Sequence, residues 1–224
     1  MTPELAKELT DSIRVFYEDV GAAFARTRGF VKTEEASIAE RIKPGMTVAD
    51  IGAGNGRFAK LVPEGATYIG IEPSDALRQS AAKNLDLRPG DLSHLPIPDA
   101  ISDVTVCFAV LQHLPGEAMR EQAIDELVRI TKPGGLIAVH SWFRVLPDPQ
   151  ISPVEDGDPG DMWITWKAEG ADTKRYVHLM QPEEWNKLWS REELVIERIG
   201  LFGKKDWTED PGEARKWLVI ARRK

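Results

Sequence analysis

Asp50-Ile51-Gly52-Ala53-Gly54-Asn55-Gly56 sets three glycines at alternate positions behind an aspartate. Residues 47–51 read as a short apolar strand, and Pro44-Gly45 breaks the chain just before it. Phe58, Leu61 and Val62 follow at helical spacing. A glycine loop between a strand and a helix lets backbone approach a ligand closely and aims free amides at its negative groups. Dinucleotide-binding loops favour G-x-G-x-x-G, with the third glycine one residue later. The G-x-G-x-G spacing here therefore disfavours a NAD-dependent oxidoreductase.

Outward from the loop, strands and helices alternate. A strand over 67–71 is followed by a helix opening at Ser74, with Leu77 and Ala81 on its apolar side, and by a short strand at 85–88. Residues 104–111 are apolar apart from Thr105 and read as a buried central strand. A helix over 117–130 buries Met119, Ala123, Leu127 and Val128; Lys132-Pro133-Gly134-Gly135 makes a tight turn into a strand at 136–141. Upstream, Leu5, Leu9, Ile13, Phe16 and Val20 mark one face of a helix over 3–20. A second helix runs from a Thr33 cap, with Glu34 and Glu35 in its first turn, to Ile42. Downstream, residues 144–182 turn rich in Pro, Gly and Asp, then carry Trp163, Trp166 and Tyr176, the texture of a lid. A helix over 183–190 and strands over 194–199 and 216–221 complete the pattern. Such alternation requires long crossovers between parallel strands, hence a doubly wound α/β sheet. One domain over 1–224 is expected, with a helical cap at 1–43 and the lid at 144–182.

Composition narrows the class. The 224 residues carry a net charge of −7, which does not suit nucleic-acid binding by the whole surface. The charge is uneven: residues 147–175 hold seven acids against three bases, and 204–224 hold seven bases against four acids. No apolar run approaches the roughly 20 residues that span a bilayer, and no signal-peptide pattern opens the sequence, so no membrane is expected. The single cysteine, Cys107, lies in a buried strand and reads as inert. A lone cysteine fits a reducing compartment, and the cytoplasm is the expected location. No His, Cys or acid cluster has metal-ligand spacing, so no metal is expected.

Two acids define the ligand further. Glu72 stands twenty residues after Gly52 at the end of the second strand, where a carboxylate accepts from both ribose hydroxyls. Gly90-Asp91-Leu92, after the third strand, puts a carboxylate beside the exocyclic amine of adenine; Asp91 reads equally as a cap.

With these elements in order, residues 43–141 resemble the class I S-adenosylmethionine (SAM)-dependent methyltransferases throughout. Phe108-Ala109-Val110-Leu111-Gln112-His113-Leu114-Pro115 matches that family's fourth-strand segment, whose end faces the sulfonium. Residues 127–135 look like its helix-to-fifth-strand turn. The resemblance implies a doubly wound, Rossmann-like sheet, mostly parallel with an antiparallel last strand. It also implies SAM as cofactor, released as S-adenosylhomocysteine, with contacts from Asp50, Gly52, Ala53, Gly54, Asn55, Gly56, Glu72, Asp91, Leu92 and Phe108.

The flanks resemble a narrower group, the tRNA wobble-uridine carboxyl methyltransferases. The resemblance is carried by residues 16–28, ending Arg26-Thr27-Arg28, by Asp161-Met162-Trp163-Ile164-Thr165-Trp166-Lys167, by Arg175-Tyr176-Val177-His178, and by residues 217–222. It departs at Ala53, where that group usually has Cys, at Gln112, often His, and at Gly29-Phe30-Val31, where Pro-Trp normally follows. The implied acceptor is the carboxylate of 5-carboxymethyluridine in tRNA. The implied partner is a small zinc-binding activator protein. A carboxylate is ionised at neutral pH and needs a clamp rather than a base. Candidates are Arg26, Arg175, Tyr176 and His178, with His113 and Trp142 at strand ends. The matching family position suggests that Arg28 holds the methionyl carboxylate of SAM. His94 and His140 read as structural. Alternatives are a methyltransferase for a small carboxylate, amine or hydroxyl, and a SAM-binding scaffold without turnover.

Overall fold

The apolar runs around the glycine loop form the middle of a sheet covered on both faces. The computed structural model describes residues 1–27, 30–144, 151–168 and 171–224. Strand β1 (Thr47–Ile51) pairs in parallel with β2 (Thr67–Ile71) on one side and β4 (Ser102–Phe108) on the other. Strand β3 (Leu87–Arg88) extends the β2 edge, and β5 (Thr131–Trp142) pairs in parallel with β4. Beyond β5 the direction reverses. Strand β11 (Lys216–Arg223) runs antiparallel to β5 and to β9 (Leu194–Phe202), and β10 (Trp207–Thr208) completes the order β10-β9-β11-β5-β4-β1-β2-β3.

Period-two alternation sends each strand's side chains to two apolar layers. Ala49, Ile51, Cys107, Ile137, Val139 and Val219 join one core with α4 (Glu117–Ile130) and α5 (Pro182–Trp189), which contribute Leu127, Trp185 and Trp189. Val48, Val104, Val106, Phe108 and Ala138 join the other, with Ile38 of α2 (Thr33–Ala39). Cys107 has no exposed surface, and burial pushes its thiol up.

Several boundaries differ from the sequence expectation. After Gly56, in the left-handed region at φ 71°, residues Arg57–Leu61 form a 3-10 turn rather than an α-helix, and Pro63 closes the segment early. The central strand stops at Phe108. Ala109 turns to φ 61°, and Leu111–His113 make a second 3-10 turn. Residues 132–135 bulge within β5 instead of preceding it, with Gly134 at φ 79°, so that Ser102 pairs Thr131 while Val104 pairs Leu136. Helix α2 is capped from Lys32 and ends at Ala39. Helix α3 (Asp75–Gln79) stops before Ala81. Helix α1 (Pro3–Arg26) continues past residue 20 to Arg26, because Phe24 and Ala25 prolong its apolar stripe.

Within 144–182 the described residues form a second sheet, β6 (Ile151–Pro153), β7 (Asp161–Ala168) and β8 (Ala171–His178), antiparallel in that order. Helix α1 packs against β8 and α3. That contact closes one side of the cleft above the glycine loop.

Candidate active site

A cleft of about 470 Å³ opens at the carboxyl ends of β1, β2 and β4, within the roughly 300–1,000 Å³ of ordinary ligand sites. The half above the glycine loop, where the cofactor contacts are expected, is lined by Gly52, Ala53, Gly54, Asn55, Glu72, Asp91, Leu92 and Phe108. Two glycines give the loop its shape. Gly52, at φ 71°, lies where a Cβ would run into Val110; Gly54, at φ 59°, faces open space. Glu72 holds the loop to the next strand. Its Oε2 accepts from the Gly54 amide at 2.9 Å and its Oε1 from the Ser74 amide at 2.9 Å. Burial pushes the Glu72 carboxyl up, against these two amide hydrogen bonds. A carboxylate oxygen has lone pairs to spare after one such bond, so Glu72 can still accept from a ribose.

Asp91 is exposed, and its Oδ1 accepts from the Ser93 amide at 2.8 Å, so it caps a turn while facing the cleft. Asp50 and Gly56 are not among the cleft-lining residues. Asp50 is buried beneath the loop and accepts from the Tyr68 hydroxyl at 2.7 Å; burial pushes its carboxyl up to about 7, opposed by that bond. Arg28 lies outside the described residues.

Two cations that composition did not single out line the same half. Lys32 forms no ion pair among the described residues, and burial beside Arg57 and Lys216 pushes its ammonium down to about 8. Arg57 reaches Glu35. Behind them Glu34, Glu35 and His140 are all buried, with potential metal-ligating atoms within 4.8 Å of one another. Their carboxylates are engaged, Glu34 by Lys216 and Glu35 by Arg57, and Phe108 stacks on the His140 ring at 4.9 Å. The surrounding cations oppose a divalent ion. The only sequence signal for Lys32 and Arg57 is a basic residue on either side of the loop.

The other half of the cleft is built on Arg175 of β8. It is 4% exposed, and its guanidinium packs on the rings of Phe16, Phe24 and Trp142 at 5.1, 5.5 and 5.1 Å. Its Nη1 donates to the Tyr17 hydroxyl at 3.0 Å; its Nε is buried with no partner, and it forms no ion pair among the described residues. His113, in the turn after β4, lies 3.1 Å from the Tyr17 hydroxyl through Nε2 and 2.9 Å from the Tyr176 carbonyl through Nδ1. Burial, with Arg175 nearby, pushes His113 down to about 3. Gln112 is fixed below, donating to the Ala109 carbonyl at 2.7 Å and accepting from Ser141 at 3.1 Å.

Tyr176 and His178 are not among the residues that line the cleft. Residues 175 and 176 alternate across β8, so Arg175 faces the cleft while Tyr176 and His178 face the opposite layer. There Asp161 Oδ1 accepts from the Tyr176 hydroxyl and pairs with His178 Nδ1, both at 2.6 Å; His178 Nε2 is 2.8 Å from Glu184, which pairs with Arg120 at 2.6 Å. Burial works against the charge on His178, but Asp161 and Glu184 raise its pKa above the ordinary value. Arg26 ends α1 with an exposed side chain outside the lining residues. Tyr17 and Phe24 are the contributors that helical periodicity hid, since their spacing marks them only as core.

This arrangement, a parallel sheet with a glycine loop, an acid after β2 and an antiparallel β11, is the class I methyltransferase fold. Residues 49–139 match the profile of the methyltransferase domain family. Among curated proteins, the chain is 32% identical over 151 residues to the tRNA (carboxymethyluridine(34)-5-O)-methyltransferase of Arabidopsis thaliana, covering 67% of this chain and 36% of that protein. It is 26% identical over 192 residues to the protein of the same name from Schizosaccharomyces pombe, covering 77% of this chain and 83% of that one. Among solved structures, an S-adenosylmethionine-dependent methyltransferase from Clostridium acetobutylicum superposes with a TM-score of 0.67 at 12% identity, covering 93% and 96% of the two chains. The chain spans 36% and 62% of the length of the first two curated relatives.

Proposed function

We propose that the protein transfers the methyl group of SAM to a carboxylate oxygen, and that this carboxylate belongs to 5-carboxymethyluridine at the tRNA wobble position. The observation that carries the acceptor is Arg175. A guanidinium buried among three aromatic rings, with no acidic partner among the described residues, is costly unless an anion completes it. Its Nη1 is used by Tyr17, leaving the Nε/Nη2 edge, a fork that matches a carboxylate.

The cofactor half fits SAM. Open space beside Gly54 admits the amino-acid portion, Lys32 and Arg57 supply a cationic end for its carboxylate, and Glu72 and Asp91 take the ribose and adenine. Bound there, the cofactor supplies a sulfonium methyl that a carboxylate oxygen displaces from sulfur in line, leaving S-adenosylhomocysteine and requiring no proton transfer. Accordingly, no carboxylate stands beside Arg175 as a general base among the described lining residues. His113 is neutral with both ring nitrogens engaged, and Arg175 orients one carboxylate oxygen while the rings around it exclude water. An ammonium or hydroxyl acceptor would have to lose a proton, and among the described residues His113, with both ring nitrogens engaged, is not placed to take it. The tRNA is supported by the likeness to the Arabidopsis and Schizosaccharomyces proteins, whose names carry that substrate, and by the flanking segments at 16–28 and 161–178. Residues 144–182 would serve as the lid over the acceptor, with a small zinc-binding protein as activating partner and the cytoplasm as location. No described helix is long and apolar enough to cross a membrane.

The test is incubation with labelled SAM and undermodified tRNA, with and without a candidate activator, followed by digestion to nucleosides. Labelled 5-methoxycarbonylmethyluridine is the expected product. Label in a small carboxylate but none in tRNA would assign the cleft to a metabolite, and no transfer to any acceptor would leave a SAM-binding scaffold.

A further inference from the structure

The hydrogen bonds beneath the acceptor cleft admit one set of donor directions. The Tyr176 carbonyl can only accept, so the His113 Nδ1 at 2.9 Å carries the ring proton. The buried ring is neutral, which leaves Nε2 as a lone pair. The Tyr17 hydroxyl, 3.1 Å away, therefore donates to Nε2. Its oxygen in turn accepts from Arg175 Nη1 at 3.0 Å. Because Arg175 and Tyr176 are consecutive on β8, the chain closes on itself: Arg175 to Tyr17, Tyr17 to His113, His113 back to the backbone one residue beyond Arg175.

The three rings surround the Arg175 guanidinium with centroids 5.1 to 5.5 Å from Cζ, and attraction of a cation to a ring face does little to choose among the individual N–H groups. Rotation in that plane decides which pair of N–H groups faces the cleft. Among the described residues, the hydrogen bond that settles it is the Nη1 bond to Tyr17.

We infer that Tyr17 is a positioning residue for the acceptor clamp, directed by the Nδ1–H tautomer of His113, and that it turns the free Nε/Nη2 edge of Arg175 toward the methyl acceptor. This rests on the reading of Arg175 as the acceptor's partner. It assigns His113 no proton transfer: the imidazole reads the position of β8 through the Tyr176 carbonyl and passes it, through one phenol, to the guanidinium. The closed chain joins α1, the turn after β4, and β8, so the clamp is aligned only when all three are docked.

Tyr17→Phe tests this while keeping the ring contacts with Phe16, Phe24 and His113. The loss of a hydrogen bond to a charged group predicts a fall in kcat/KM for the acceptor of about 10- to 100-fold, with SAM affinity within about twofold of wild type. In an Arg175→Ala background, Tyr17→Phe should cost nothing further, because the group it positions is gone. Additive losses, an unchanged rate, or an equal loss of SAM affinity would overturn the inference. Imidazole nitrogen-15 spectra of the S-adenosylhomocysteine complex provide a readout independent of the acceptor. A neutral His113 protonated at Nδ1, with an Nε2 resonance that moves in Tyr17→Phe, is expected; a ring protonated at Nε2 refutes the relay. Should no acceptor be methylated, the acceptor reading falls, and the spectrum alone decides the relay.

Discussion

Gly52 and Gly54 share a left-handed backbone but differ in what surrounds them, so they fail differently on substitution. Gly54→Ala meets no protein atom within 4 Å, and its cost is backbone strain plus a methyl group in the cofactor's space. Gly52→Ala adds a collision with Val110, the residue that opens the turn leading to His113. Strain of about 1–2 kcal/mol at such a position, before any collision, already corresponds to a roughly tenfold effect. Gly52→Ala should therefore weaken SAM binding by at least about tenfold, measured by calorimetry, with a lower melting temperature. A variant that binds SAM normally would contradict the geometry. At this scale the loop, Glu72 and Asp91 were legible because each rests on spacing along the chain. Arg175 was legible only through likeness to a family. Tyr17 and Lys32 were not legible as site residues, since a tyrosine inside an apolar helical stripe and a lysine ahead of two glutamates have ordinary core and capping explanations.

The elements were read well where burial alone decides them. β1, β2 and α4 occupy the expected residues because both faces of the strands, and one face of the helix, are apolar. Element ends near the cleft were misread. The apolar run of β4 continues through Ala109 and Val110 while the backbone has already turned, since those side chains line the cleft beyond the strand end. The hairpin of β7 and β8 was legible only as a change of texture, and the alternation that turns Tyr176 and His178 away from the cleft could not be phased without the strand.

That hairpin is tied to α4 and α5 through Asp161, His178, Glu184 and Arg120, with the Tyr176 hydroxyl completing the set. The raised pKa of His178 makes this tie dependent on pH. The folded state holds its proton more tightly than the unfolded chain, so the stabilisation is complete below about 6.5 and is lost as pH rises through the elevated value. Each unit of elevation corresponds to about 1.4 kcal/mol. Thermal unfolding of the wild type should show a decline in stability above about pH 6.5 that is shallower in His178→Gln. Asp50, raised to about 7 by burial, declines in the same direction in both proteins, so the difference between them isolates His178. Equal slopes would remove the tie.

For the molecule as a whole, the two halves of the cleft answer to pH separately. His113 is neutral above about 3, so on the acceptor side its ring keeps one charge state through neutrality. Lys32, held at about 8, changes charge within the working pH range on the glycine-loop side. If it pairs with the methionyl carboxylate, SAM binds the protonated form; affinity is constant below about pH 8 and falls above it by up to tenfold per pH unit. The turnover number at saturating SAM should stay flat from about pH 6 to 9 while the SAM dissociation constant rises, and Lys32→Met should bind SAM more weakly without that rise. A bell-shaped turnover profile centred near neutrality would instead demand a general base. The broad architecture was legible because strand–helix alternation admits few topologies. The acceptor was not, because a net charge of −7 and a closed aromatic cleft describe a surface and a shape rather than a substrate.

The place of β11 has a consequence for how the molecule comes to be folded. β9 and β10 join the sheet only through β11, which follows both in the chain yet lies between β9 and β5. During synthesis β9 and β10 emerge first as a two-stranded ribbon without the strand that joins them to the sheet, while β5 presents its outer edge unpaired. Until residues 216–223 thread between them, two strand edges stand open at once, and such edges seed association with other chains. The molecule's exposure to aggregation should thus be concentrated in the interval between making β9 and placing β11. A chaperone that shields strand edges in that interval should raise its yield more than one that acts on the finished fold.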